Sequence, residues 1–237
     1  MPCRLFRAAW PCVLMLVSFS LRAAPPVAED SMAQRVQACT GCHGSQGRAA
    51  SDGYYPRIAG KPAAYLYHQL LNFRDGRRQY APMARLIEPL SDAYLQEIAA
   101  HFAALELPYA AAQPATAPAE TLRRGEALAL RGDAAMRIPA CVQCHGPALS
   151  GLAPAIPGLL GLPRDYLNAQ LGAWKTGNRN AQAPDCMAQI AQALTTDDVA
   201  ALSQWLAAQP LPAQPKAVSA LAAPLPLPCG GVSEGQR

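Results

Sequence analysis

Two tandem lobes, each closed by an amphipathic helix, are the fold that this sequence predicts, and three observations carry it. The pattern C-x-x-C-H occurs twice, as Cys39-Thr40-Gly41-Cys42-His43 and Cys141-Val142-Gln143-Cys144-His145. A second, longer pattern follows each copy at a constant offset of 101 residues. Each copy then ends in an apolar stripe at helical spacing.

The C-x-x-C-H motif places three residue types by one piece of chemistry. Both cysteines add across haem vinyl groups as thioethers, and the adjoining histidine offers a ring nitrogen to the iron. A zinc site or a thioredoxin-like dithiol also uses C-x-x-C. Zinc, however, wants four ligands in one place, whereas these clusters lie a domain's length apart and each carries its own histidine. The prediction is two covalently attached haem c groups, bound through Cys39, Cys42 and His43 and through Cys141, Cys144 and His145.

Behind each motif, Pro56-Arg57-Ile58-Ala59-Gly60 answers Pro157-Gly158-Leu159-Leu160-Gly161. Tyr65-Leu66-x-x-Gln69-Leu70-x-x-Phe73-x-x-Gly76-x-Arg78 then parallels Tyr166-Leu167-x-x-Gln170-Leu171-x-x-Trp174-x-x-Gly177-x-Arg179. Three extra residues follow Arg179, after which Met83 and Met187 occupy one register, each seven residues before a leucine, Leu90 or Leu194. Ser91 and Thr195 stand at the N-cap positions of the closing helices. Leu95, Ile98, Phe102 and Leu105 form the stripe of the first closing helix, and Val199, Leu202 and Leu206 that of the second. Met32 and Met136 lack any such register and read as core filler. Met83 and Met187 are assigned instead as sixth ligands, because a soft thioether opposite a histidine raises the reduction potential.

The first residues, with Arg4 and Arg7 ahead of an apolar run from Ala8 to Leu21 and small residues at Ala23-Ala24, have the layout of a secretory signal over residues 1–24. That run is too short to span a bilayer, and the neighbours of Cys12 do not suit lipid attachment. The expected location is the periplasm, where haem is attached to such motifs and disulfides persist. Without the leader the formal charge of +4 falls to about +1. No cluster of lysine and arginine with interleaved aromatics is present, which argues against nucleic acid as a partner.

The order C-x-x-C-H, Pro-x-x-x-Gly, Tyr-Leu-x-x-Gln-Leu, Gly-x-Arg, Met and closing helix resembles the class I cytochromes c, and the tandem arrangement is similar to the dihaem cytochrome c4 type. The resemblance implies an all-α fold of two tandem class I cytochrome c domains, each wrapped around one covalent haem. It places them at residues 31–107 and 119–210, with an N-terminal helix leading into each motif and middle helices near 62–75 and 163–175. Closing helices are expected near 92–105 and 196–208, and residues 119–130 as the first helix of the second lobe. The resemblance further implies that the carbonyls of Pro56 and Pro157 accept a hydrogen bond from the ligating histidines. Arg78 and Arg179 are then candidates to meet haem propionates, or else surface arginines.

Residues 108–118, rich in alanine and proline, read as a linker, and the proline-rich residues 211–237 as a tail extended over the surface. Cys186 and Cys229 are left after haem attachment. They form either a disulfide tying the tail beside the methionine loop, or two thiols; an oxidising compartment favours the bridge. His68 and His101 match Ala169 and Trp205 in the other repeat and read as surface residues.

Function follows as one-electron carriage between redox proteins, from a respiratory donor to an acceptor such as a terminal oxidase, with no catalytic residue and no membrane span. Docking to a membrane complex stays open. One alternative is a dihaem thiosulfate-oxidising enzyme with a cysteine-ligated haem, for which Cys186 is the candidate. Register argues against it by selecting Met187. Another is a cytochrome subunit of a dehydrogenase complex.

Overall fold

The computed structural model describes residues 30–50 and 52–232; the signal reading at residues 1–24 lies outside them. In the first lobe α1 (Met32–Arg35) and α2 (Gln37–His43) lead through a 3-10 turn at Ser45–Gly47 to α3 (Ala63–Arg74), α4 (Ala81–Ile87) and α5 (Asp92–Ala104). In the second, α6 (Ala119–Leu130) and α7 (Val142–His145) precede β1 (Gly151–Leu152) and β2 (Ile156–Pro157), followed by α8 (Arg164–Lys175), α9 (Cys186–Ala193) and α10 (Thr196–Ala208). The middle and closing helices fall within a residue or two of their expected limits.

Local chemistry explains these boundaries. Ser91 Oγ accepts from the Tyr94 amide at the start of α5, and Thr195 accepts from the Asp198 amide at the start of α10. Asp198 returns the contact by accepting from the Thr195 amide, which completes a capping box. Pro62 and Pro163, held in extended backbone, precede α3 and α8.

The predicted apolar stripes are the cores. Leu95, Ile98 and Phe102 of α5 pack with Val36, Leu66 and Phe73 in the first lobe. Val199 and Leu202 of α10 pack with Leu128, Ile138 and Leu194 in the second. The crossing of α6 over α10 is close enough to need a glycine: a Cβ on Gly125 would lie 2.2 Å from the Ala201 carbonyl oxygen. Met32 packs on the first core, and Met136 on the second, as filler should.

Four expectations are corrected. The first lobe's N-terminal helix is broken at Val36, whose amide turns back to Met32 and Gln34 carbonyls while its side chain is 2% exposed in the core. The methionines sit in short helices, not loops, because Pro82 starts α4 and Asp185 caps α9. His68 is half-buried and lines the internal cavity described below. The tail is irregular but not confined to the surface. Val218 pairs with both sides of Leu152, exchanging bonds with Gly151 and Ala153, and Cys229 and Val232 are buried against Leu152 and Ile156. Leucines and valine spaced among the prolines give the tail an apolar side that compositional reading overlooks. The short β1–β2 ladder is a minor exception within an all-α chain.

Candidate functional site

Each C-x-x-C-H motif ends a helix, so its histidine is delivered at a helix C-terminus and turned inward by the following glycine, Gly44 or Gly146, at positive φ. His43 and His145 are both 7% exposed. His43 Nδ1 donates to the Pro56 carbonyl at 2.9 Å, and His145 Nδ1 to the Pro157 carbonyl at 2.7 Å. Burial pushes both imidazoles below the ordinary histidine pKa, more than these carbonyl bonds raise them, so each ring is neutral near pH 7. A neutral imidazole with one nitrogen fixed has the other available for a metal.

Both histidines face one continuous cavity of about 910 Å³ that runs through the two lobes. Met83 and Met187 line it, as do Pro56, Pro157, Cys39, Cys141 and Cys144. Cys42 is exposed and does not line the cavity. Burial raises the thiols of Cys39 and Cys144, and that of Cys141 to about 12. That is the reverse of the thiolate character a redox dithiol or a zinc ligand needs. Among the described residues no three His, Cys, Asp or Glu gather into a metal-binding group, so the two motifs do not combine into a zinc site.

The later part of the repeat builds the join between the lobes, a role that sequence reasoning missed. Arg78 and Arg179, equivalent in the two copies, face each other in an antiparallel bridge. The Gln79 amide donates to Asn178 O and the Asn180 amide to Arg77 O, each at 2.7 Å, a pairing with local two-fold symmetry. Arg78 donates to Gln69 at 3.1 Å and Gln170 at 2.6 Å; Arg179 donates to Gln170 at 2.7 Å and Gln69 at 3.1 Å. Each guanidinium also lies over the aromatic ring of its own repeat, Arg78 on Phe73 and Arg179 on Trp174. The signal was present in the sequence, since Gln, aromatic, Gly and Arg recur together at fixed spacing.

These arginines border the cavity and, among the described residues, form no ion pair with a carboxylate. Arg179 is 5% exposed. A buried cation without a counter-charge is costly, and a cavity rimmed by such cations suits a group that brings its own carboxylates. Thioether-forming cysteines, inward histidines, thioethers at the cavity wall and carboxylate-seeking cations together fit two haem groups. The arrangement defines a dihaem class I cytochrome c, with two tandem all-α lobes each holding one covalent haem.

Cys186 and Cys229 are joined in a disulfide, with Cα atoms 5.1 Å apart across 43 residues of chain. Cys186 is therefore no thiolate ligand, which removes the residue on which the thiosulfate-oxidising enzyme reading depended.

No protein-family profile matches the chain. Individual relatives do. The thiosulfate dehydrogenase electron acceptor of Thiomonas intermedia (strain K12) is 39% identical over 193 residues, 81% of this chain and 84% of the relative. Cytochrome c4 of Pseudomonas aeruginosa is 33% identical over 198 residues, covering 82% and 96%. The crystal structure of reduced recombinant cytochrome c4 from Pseudomonas stutzeri superposes with a TM-score of 0.64 at 29% identity, over 74% of this chain and 95% of that one. The chain belongs to the cytochrome c4 family. It is an electron-transfer protein rather than an enzyme, and among its described residues no helix is long and apolar enough to cross a membrane.

Proposed function

We propose that this dihaem cytochrome works in the periplasm as the one-electron acceptor of a thiosulfate-oxidising dehydrogenase and passes the electrons to a respiratory acceptor such as a terminal oxidase. The supporting observation is the 39% identity, over most of both chains, to a relative named for that acceptor role. Residues 1–24 serve as the export signal in this reading, followed by cytochrome domains at 31–107 and 119–210, the linker 108–118 and the tail 211–237. The enzyme named among the alternatives thus becomes the partner, and the dehydrogenase-subunit alternative merges with the carrier if the two proteins dock stably.

In the same reading Cys39 and Cys42, and Cys141 and Cys144, carry the thioethers, while His43 with Met83 and His145 with Met187 ligate the irons. The bound haems supply the Fe(III)/Fe(II) couple and no bond chemistry on a substrate. The Pro56 and Pro157 carbonyls fix the ring planes of the histidines and raise their basicity. Arg78 and Arg179, already oriented by Gln69 and Gln170, direct their remaining donors to propionates. Apolar walls keep water from the cavity and so limit reorganisation on electron transfer.

The test is reduction of the oxidised holoprotein by thiosulfate in the presence of catalytic thiosulfate dehydrogenase, followed in the haem α-bands. Both haems are expected to reduce at a rate proportional to enzyme. Reduction no faster than without enzyme would overturn the acceptor assignment and leave a carrier with another donor.

A further inference from the structure

The loops that support the two ligating histidines are not equivalent. Pro56-Arg57-Ile58-Ala59-Gly60-Lys61 corresponds to Pro157-Gly158-Leu159-Leu160-Gly161-Leu162, so the first copy has two cations where the second has none. Arg57 is fully engaged nearby: it donates to Ala59, Leu107 and Pro108 carbonyls and lies 3.9 Å over the Tyr109 ring. It pins the connection between the lobes. Lys61 does something else.

Lys61 is 5% exposed and reaches out of its own lobe. Its Nζ donates to the Gly158 carbonyl at 3.2 Å, one residue beyond Pro157, whose carbonyl holds His145. The Tyr109 ring is 5.9 Å away, and no carboxylate lies within ion-pair distance among the described residues. Burial, together with the neighbouring Arg57 guanidinium, lowers the ammonium to about 8, so it is still a cation at pH 7. Its charge is felt at His145, whereas the cation felt at His43 is Arg78 of the same lobe, and Leu162 occupies the place equivalent to Lys61.

We propose that Lys61 is a positioning residue of the second lobe's haem, a cation lent by the first lobe that raises that haem's reduction potential. It holds the peptide that follows the one carrying the histidine's hydrogen-bond acceptor, and its field would disfavour the oxidised iron, which is the more positive state. This rests on the assignment of His145 and Met187 as ligands. As a general scale, at an effective dielectric of about 20 two unit charges on the order of 10 Å apart shift an equilibrium about tenfold. For a one-electron couple a tenfold change is 59 mV.

The experiment is spectroelectrochemical titration of the holoprotein and of Lys61→Met and Lys61→Arg, resolved into two one-electron waves. A Met187→His variant labels the second lobe's wave by lowering it alone. Lys61→Met is expected to lower the labelled wave by about tenfold in its reduction equilibrium and to move the other wave much less, while Lys61→Arg stays near the original. Equal shifts in both waves, no shift, or an arginine variant that behaves like the methionine one would each overturn the proposal. If Met187→His moves neither wave, the ligand assignment itself fails, and that outcome is read before the Lys61 variants are made.

Discussion

Replacing Cys186 and Cys229 together by serine separates what the bridge does for stability from what it does for the haem. The disulfide closes a loop of 43 residues. On the chain-entropy treatment its loss releases about 4 kcal/mol of constraint on the unfolded chain. The tail's other attachments are modest. They comprise the bonds of Val218 to Gly151 and Ala153, the Gly230 amide to Pro184 O, and the packing of Val232 against Leu152 and Ile156. The guanidinium midpoint of the second lobe should therefore fall by about 1 M, given slopes of about 3 to 4 kcal/mol per molar for a lobe of this size. Met187 is a different matter. Asp185 caps α9 by accepting from the Ala188 amide at 2.9 Å, and it also accepts from the Ala181 amide at 2.6 Å and Trp174 Nε1 at 3.3 Å. Those contacts hold the start of α9 without the bridge, so the near-infrared methionine-to-iron band of the folded variant should keep its full intensity. The assay is paired: guanidinium unfolding followed by Soret circular dichroism, and the near-infrared spectrum before denaturant is added. A stability loss below about 1 kcal/mol would refute the entropic account, and a weakened band in the folded variant would refute the role given to Asp185.

Three further outcomes are expected. Gly125→Ala forces a Cβ to within 2.2 Å of Ala201 O at the α6–α10 crossing, and should lower second-lobe stability by about 2 to 3 kcal/mol in thermal unfolding, despite alanine's better helix propensity. Met83→Ala should halve the near-infrared methionine band and lower one of the two potentials, leaving the other wave in place. Asp198 is held below its ordinary carboxylate pKa of 3.8, since hydrogen bonds from Arg124 and Thr195 outweigh the burial that opposes them. The unfolded chain then takes up a proton before the native state does, so stability is present above pH 3.8 and is lost as pH falls towards the native value. Asp198→Asn should be less stable by about 2 kcal/mol at pH 7 and should lack this part of the acid loss, as measured by denaturant midpoints between pH 6 and 3.

Legibility in the sequence followed the physics of each element. Stripes such as Leu95, Ile98 and Phe102 are periodic because one face of a helix is buried, and the caps Ser91 and Thr195 are chemically distinctive, so these helices are legible as elements in the residues, while the class I cytochrome c resemblance supplied their limits. The C-x-x-C-H motif is legible because thioether attachment fixes a spacing. By contrast, the break at Val36 is a tertiary effect: the side chain is drawn into the core, and nothing in Arg35-Val36-Gln37 marks it. The tail's buried side was hidden because its prolines dominate the composition: Val218, Leu221, Leu225, Cys229 and Val232 recur at three- and four-residue spacing, but Pro224, Pro226 and Pro228 between them rule out the helix that such spacing would mark. The join between the lobes was legible as a repeat but not as a contact, because a single sequence shows that Gln69 and Gln170 correspond without showing that each serves the other copy's arginine.

That distinction between what the duplication kept and what it lost bears on how the carrier works. At the join the two copies remain symmetric, as the crossed bonds of Arg78 and Arg179 to Gln170 and Gln69 show. A close, rigid contact between two redox lobes demands matched surfaces, and divergence of one side alone would leave a buried guanidinium unpaired. Away from the join the copies differ in how their haem-motif cysteines are covered, although each lobe leaves a leucine exposed, Leu86 or Leu130. The first lobe leaves Cys42, Tyr54 and Leu86 exposed, whereas the second has its Cys144 packed against a cluster that the disulfide-tethered tail completes. Shielding from water disfavours the more highly charged oxidised iron. The cover over Cys144 therefore favours the reduced state in the second lobe, while the cations felt at the two histidines, Lys61 at His145 and Arg78 at His43, act in the same sense on both. On the proposed ligation, alike in both halves, the more open first lobe is the expected exchange face, and faster bimolecular reduction of its haem is the outcome that would check it.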